Sequence, residues 1–248
     1  MQEQKVITAH QLTKVFGNFT AVDHITFEVD RGEIFGFLGA NGAGKTTAMR
    51  MLCGLLLPTS GTASVAGFDV YRQNEMIKRN IGYMSQKFSL YEDLTVRENI
   101  RFYAGIYGLS DVQIKQKTGS LLAQLHIEDQ EKTLVRDLPL GWKQKLAFSI
   151  AIVHDPAIVF LDEPTGGVDP VARKEFWGMI YETSAKGITI FVTTHYMDEA
   201  EYCNRVSIMV DGKIEALDTP AKLMKTYDAN SMDGVFLKLA RKATRAGE

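Results

Sequence analysis

The sequence predicts an α/β fold: a parallel-sheet core, an N-terminal antiparallel β unit, and an all-helical unit inserted into the core. Three observations predict it. An apolar run, Ile34 to Leu38, enters the glycine-rich stretch GANGAGKTT and leaves it as a helical pattern. Ahead of that run, ITFEV alternates Ile25, Phe27 and Val29 with Thr26 and Glu28, the period of a half-buried strand. From about Lys87 to Pro139, strand signals vanish and helical periodicity takes over.

Each element follows in order. The first thirty residues read as β-structure, and Asp30-Arg31-Gly32 is a turn. Ile34–Leu38 is apolar almost throughout, as a strand buried on both faces must be. After GANGAGKTT, Met49, Leu52, Cys53 and Leu56 recur at i, i+3, i+4 and i+7, and LLPTSGT stops that helix. Residues 62–85 hold short strand pieces ending in IGYMSQ. Thr95-Val96-Arg97-Glu98 is a capping box, with Ile100, Tyr103, Ala104 and Tyr107 as the stripe behind it.

The α/β rhythm then returns. AIVFLDE is a buried strand, residues 170–185 a helix, GITIFVTTH a strand and residues 197–203 a short helix. VSIMV-DG-KIEAL is a hairpin with an Asp-Gly turn. Thr219 and Pro220 are an N-cap and a first helical residue, and Met232, Val235, Phe236 and Leu239 mark a final helix. The expected organisation is one domain over 1–228, with 1–86 and 141–228 forming the core and β unit and 87–140 the helical insertion. Residues 229–248 are a C-terminal helical extension.

Composition narrows the function classes. Of 248 residues, 45% are apolar, enough for a sizeable core, and the net charge of -2 provides no global field for nucleic acid or anionic lipid. No nucleic-acid partner is expected. Cys53 and Cys203 stand far apart without metal-ligand spacing, which suits a reducing compartment. MQEQKVITAH lacks the apolar centre of a secretory signal. No run approaches the roughly 18–20 apolar residues of a membrane span, since AIVHDPAIVFL is broken by His154, Asp155 and Pro156. A cytosolic chain is expected, one that can sit on a membrane protein without entering the bilayer.

The chemistry is concentrated in GANGAGKTT, where Gly39 to Thr46 match G-x-x-x-x-G-K-[ST] in full. Gly39, Asn41, Gly42, Ala43 and Gly44 turn backbone N–H groups onto phosphate oxygens, and the helix start at Lys45, Thr46 and Thr47 adds its dipole. Lys45 reaches the β- and γ-phosphates and the Thr46 hydroxyl binds Mg²⁺. This makes the core a P-loop NTPase core. Asp162 and Glu163 end the strand Ile158–Leu161. On a parallel strand beside the P-loop strand, Asp162 would hold Mg²⁺ and Glu163 would polarise the attacking water. His195 after IFVTT, Gln86 after GYMS and Phe16 in KVFG carry no signal in isolation.

Together they fall in a recognisable order. Over nearly its whole length the chain resembles the ATPase subunit of ATP-binding-cassette (ABC) transporters, and its wording most resembles the bacterial export-type (multidrug-exporter-like) members. The resemblance implies that Phe16 stacks adenine and that Gln86 senses Mg²⁺ and faces the membrane partner. It makes Glu163 of FLDEP the catalytic base, Asp169 of GGVD a D-loop residue crossing to a second subunit, and His195 the switch histidine at the γ-phosphate. Gln86, Lys45, Glu163 and His195 form the expected catalytic set, with ATP and Mg²⁺ bound. It further implies integral-membrane permease subunits, a second cassette, and a peripheral place on the cytoplasmic face of the inner membrane. The segment Phe88-Ser89-Leu90-Tyr91 would line the groove that receives a short permease helix.

One element departs from the family. Where its signature reads LSGGQ, this chain reads Leu138, Pro139, Leu140, Gly141 and Trp142, followed by Lys143-Gln144-Lys145-Leu146. Pro139 supplies neither a hydroxyl nor an N–H, and Leu140 has bulk where glycine admits a phosphate. Each charge-assisted hydrogen bond lost is worth roughly 1.5–3 kcal/mol. Gly141 and the helix start remain, able to point at an anion. Two arrangements follow. Either a non-identical cassette or a fused tandem half supplies an intact signature, or a homodimer works with altered contacts, as the Leu-Pro-Leu-Gly spelling in some export-type cassettes suggests. Two other classes compete with transport. A soluble ABC-type ATPase acting on DNA or ribosomes would carry long coiled coils or two cassettes with a basic linker. A P-loop kinase would lack the histidine and D-loop elements.

Overall fold

In the computed structural model, residues 5–86 and 89–246 are described, side chains of 241–246 excepted. The first third of the chain runs β1 (Lys5–Phe16), β2 (Phe19–Asp30), β3 (Ile34–Leu38), α1 (Lys45–Leu52), β4 (Ser60–Val65), β5 (Phe68–Asp69), α2 (Asn74–Asn80) and β6 (Ile81–Met84). The insertion carries α3 (Val96–Ile106) and α4 (Asp111–Leu125) and is followed by α5 (Leu140–Ala151). Then come β7 (Ile158–Asp162), α6 (Pro170–Ala185), β8 (Thr189–Thr194), β9 (Arg205–Val210), β10 (Lys213–Asp218), α7 (Pro220–Thr226) and α8 (Met232–Ala246).

Two sheets form the frame. One is antiparallel with order β2-β1-β4-β5, and in β2 the alternation buries Ile25, Phe27 and Val29. The other has order β10-β9-β3-β8-β7-β6 and is parallel except for β10. Strands β3, β7 and β8 are buried at every residue, which is why their sequences do not alternate. Phe27 of β2 packs on Phe35 and Phe37 of β3 and on Phe191 of β8, with centroids 5.6–6.3 Å away, so aromatic contacts lock the sheets together. β8 lies between β3 and β7, so the strand ending in Asp162 is not beside the P-loop strand as expected. The crossover from β7 to the parallel β8 runs through α6, and β8 takes the place beside β3.

The local signals hold in most elements. Thr95 and Glu98 form the capping box of α3, and Ser110 with Gln113 makes a second one for α4. Asp211 (φ 47°) and Gly212 (φ 81°) both take the left-handed conformation a two-residue hairpin turn requires. Helix α1 stops at Leu52, earlier than expected, because Gly54 (φ 68°) terminates it in the left-handed region. Leu56 therefore joins the core from a loop. Among its described residues the insertion carries no strand, only an isolated bridge between Thr95 and Leu134. Of the expected docking segment, Phe88 lies outside the described residues.

Helix α5 ties the two units together. Leu146 and Ile150 close the cluster formed by Val96, Ile100, Leu121 and Leu125, while Phe148 meets Phe176 of α6 at 5.3 Å. The expected boundary at 140/141 thus falls at the first turn of a helix whose two faces serve different cores. In α8, Met232, Val235 and Leu239 are buried against the α/β core.

Candidate functional site

The parallel strands deliver their C-terminal ends to one edge, and the site is built there. After β3 the chain turns through Gly39–Gly44 into α1. Two glycines allow the turn. A Cβ on Gly39 would lie 2.5 Å from the Met209 carbonyl oxygen, and one on Gly44 (φ 100°) 2.3 Å from that of Ala21. The loop is thus wedged between β2 and β9. No side chain caps α1 and its first turn holds no acid, so its leading N–H groups are left for an anion.

Lys45 is only 4% exposed. Its ammonium donates to the carbonyls of Gly39 (2.8 Å) and Ala40 (3.1 Å) and lies 3.5 Å from Glu163 Oε1. Burial pushes its pKa down, and the Glu163 and Asp162 carboxylates oppose that. The charged amine is therefore held by fixed acceptors at the mouth of the loop. A cavity of about 380 Å³ opens over it, lined by Asn41, Gly42, Gly44, Lys45, Thr46, Thr47, Gln86, Glu163, Phe19 and Ala21.

At the end of β7, buried Asp162 accepts from Thr46 Oγ1 at 3.2 Å and from Thr193 Oγ1 at 2.7 Å. Burial, joined by the charge of Asp162, raises the Tyr83 pKa to about 12. Glu163 takes a left-handed backbone (φ 47°), held by its N–H bonding both the carbonyl and the hydroxyl of Thr193. That strained turn swings its carboxylate into the cavity. Gln86 Nε2 donates to Glu163 Oε2 at 3.0 Å, and His195 Nδ1 lies 3.0 Å from the same oxygen. Lys45, Gln86, Glu163 and His195, drawn from four segments, meet at one carboxylate.

The floor of the cavity has the donors a divalent cation needs. Among the described residues no cluster of three His, Cys, Asp or Glu could hold a metal by itself. Thr46 lines the cavity, and buried Asp162 lies in contact with its hydroxyl, giving two hard oxygen donors side by side. This set fits Mg²⁺, which takes one or two protein oxygens and completes its shell with phosphate and water.

Other expected residues lie elsewhere. Phe16 is half exposed with Lys14 5.1 Å above its ring, and its hairpin partner Phe19 is the aromatic that lines the cavity. Asp169 caps α6, accepting from the N–H groups of Ala172 and Val171, which hold its pKa down. In the 138–142 segment, Leu138 is buried in the helical core, Pro139 is the N-cap of α5 without a side-chain cap bond, and Leu140 is 44% exposed. A Cβ on Gly141 would meet Ala172 at 3.2 Å, and Trp142 lies beneath Lys145. None of these five lines the cavity of this chain.

Sequence reasoning missed Thr193, Phe19 and Tyr196. The threonines of IFVTTH read only as strand residues, yet Thr193 fixes both acids. Tyr196 lies against His195 with ring centres 4.2 Å apart.

The family profile described as "ABC transporter" matches residues 22–166. The chain belongs to the ABC transporter family. It is 47% identical over 242 residues to the probable multidrug ABC transporter ATP-binding protein YbhF of Escherichia coli, covering 95% of this chain and 42% of that protein. It is 36% identical to the Nod factor export ATP-binding protein I of Cupriavidus metallidurans, covering 88% of this chain and 73% of that one. This ABC chain therefore spans less than half the length of the first relative. A solved ATP-binding subunit of an ABC transporter superposes with a TM-score of 0.85 at 30% identity, over 94% of this chain and 99% of that one.

Proposed function

We propose that this chain is the ATP-hydrolysing subunit of an ABC exporter at the cytoplasmic face of the inner membrane, driving separate permease subunits. The observation that carries the reading is the single carboxylate of Glu163, 10% exposed, set between Lys45, Gln86 and His195 at the rim of the cavity. The names of the multidrug and Nod factor relatives support export. Among the described residues no helix is long and apolar enough to cross a membrane.

The chemistry follows from the side chains. Backbone N–H groups of Gly39–Thr47 bind the phosphates, and Lys45 offsets their charge. Thr46 and Asp162, with Gln86 nearby, would hold Mg²⁺, which would supply neutralisation of phosphate charge. Glu163 accepts a proton from the attacking water, and the left-handed backbone keeps it aimed at the cavity. His195 and Gln86 orient that carboxylate and complete the surroundings of the γ-phosphate. Phe16 and Phe19, at the end of one hairpin, offer an aromatic edge for the adenine. A second cassette closes head-to-tail over the cavity through Leu138–Trp142 and Asp169, and the helical insertion passes the closure to the permease.

The decisive test is Glu163→Gln. Removing the proton acceptor lowers turnover by about 10²–10⁴-fold, the usual worth of a general base. ATP binding survives and an ATP-bound dimer accumulates in gel filtration. Unchanged turnover would remove Glu163 from the role of base.

A further inference from the structure

Glu199 lies in the turn after His195 and is fully buried (0% exposed), with a carboxylate that the proposed chemistry does not use. A buried carboxylate is retained only where its partners repay desolvation. Here they come from three separate segments. Thr165 Oγ1, two residues after Glu163, donates to Oε1 at 2.5 Å. Thr194 Oγ1, directly before His195, donates to Oε2 at 2.7 Å and also accepts from Tyr196 N at 3.0 Å. Arg173, four residues after Asp169, donates from Nη1 to Asp198 Oδ2 at 3.4 Å and brings Nε to 3.7 Å from Glu199 Oε1, beyond hydrogen-bond length; among the described residues that buried Nε bonds nothing else.

The guanidinium of Arg173 also lies 4.5 Å from the centre of the Tyr196 ring, whose other neighbour is the His195 imidazole at 4.2 Å. A chain of contacts therefore runs from Glu199 through Arg173 and Tyr196 to His195, and a second runs through Thr194 into the His195 backbone. Both end where His195 meets Glu163 at 3.0 Å. We propose that Glu199 is a positioning residue for His195. It clamps the turn carrying the imidazole to the loop behind Glu163, and through Arg173 it keeps Tyr196 against the ring.

This rests on the ATPase reading for its kinetic consequence but not for its structural one. Glu199→Gln keeps the size of the side chain and one acceptor oxygen while removing the charge that faces Arg173. In the chain labelled with ¹⁵N at histidine, the imidazole resonances of His195 shift, while those of His10, His24, His126 and His154 stay in place. In ATPase assays kcat falls by roughly tenfold and KM for ATP stays within about twofold, as expected when a group acts only after binding. Unmoved His195 resonances, or a loss carried by KM alone, would overturn the proposal. If wild-type chain proves inert toward ATP while the resonances still move, the ATPase reading has failed and the positioning has not. Should Glu199→Gln fail to fold, Tyr196→Leu, at a half-buried position, takes the same two readouts, and the same results support or overturn the proposal.

Discussion

At the scale of single residues, the site depends on a few atoms that cannot be exchanged. Among the described residues Lys45 is the one cation lining the cavity, and no neighbouring side chain there could replace it. Lys45→Ala leaves the loop without its central charge. Nucleotide affinity measured by a fluorescent ATP analogue falls by roughly a hundredfold or more, the scale expected when a charge-assisted hydrogen bond is removed from a buried site. Gly39→Ala tests the wedge itself. The added Cβ would overlap the Met209 carbonyl, so the chemical-denaturation midpoint drops by an amount equivalent to about 1–3 kcal/mol.

The residues legible in the sequence were those whose chemistry is tied to spacing, such as Lys45 and Thr46. Others depended on which strand ends up beside which. Thr193 became significant only because β8 separates β3 from β7, which lets it bond Asp162 and the Glu163 N–H together. The aromatic edge shows the same limit. Phe16 and Phe19 are cross-strand partners, and only the folded hairpin puts Phe19 rather than Phe16 on the cavity wall.

At the scale of elements, α3 and α7 announced themselves by their caps, Thr95 and Thr219, and the buried strands by unbroken apolar runs, whereas helix ends depended on backbone conformation. Gly54 stopped α1 before the proline signal did. The contact between the insertion and the sheet was not legible at all. His154, just after α5, donates from Nε2 to the Ile81 carbonyl of β6 and stacks on Tyr107 at the end of α3, centroids 3.6 Å apart. Burial lowers its pKa to about 4, from an ordinary 6.5. Above pH 6.5 the ring is neutral folded or unfolded and the contact contributes fully. As pH falls from 6.5 toward 4, the unfolded chain takes up the proton and the folded one does not, so stability is lost over that window. The loss amounts to at most about 3 kcal/mol, with partial exposure of the ring reducing it. His154→Phe keeps the stack and removes the titration, so denaturant midpoints measured from pH 7 to 4.5 decline less steeply in the variant.

At the scale of the whole molecule, the open question in the sequence was the altered signature, and the fold shows what the alteration does to α5. Its N-terminus is intact as a helix start, with the Pro139 carbonyl accepting from Trp142 and Lys143, but it carries no hydroxyl cap. Gln144 anchors the helix to the Pro164 carbonyl next to Glu163, so the segment is tied to the loop that carries Glu163. Leu140 stands exposed and leans toward Gly167 of the loop leading to Asp169. The segment is thus ordered, and its helix start carries no side-chain cap. In the head-to-tail pair proposed above, such a segment would weaken the site on the partner, while this chain's own Lys45, Asp162, Glu163 and His195 stay together. Changing Pro139→Ser together with Leu140→Gly restores a hydroxyl, an N–H and room for the phosphate. In the complex purified with its native partners, the double variant therefore raises the ATPase rate, by about tenfold for each hydrogen bond regained in the transition state. An unchanged rate would mean that Gly141 and the dipole of α5 already supply all that hydrolysis draws from this segment, and that two copies of this chain can face each other without loss.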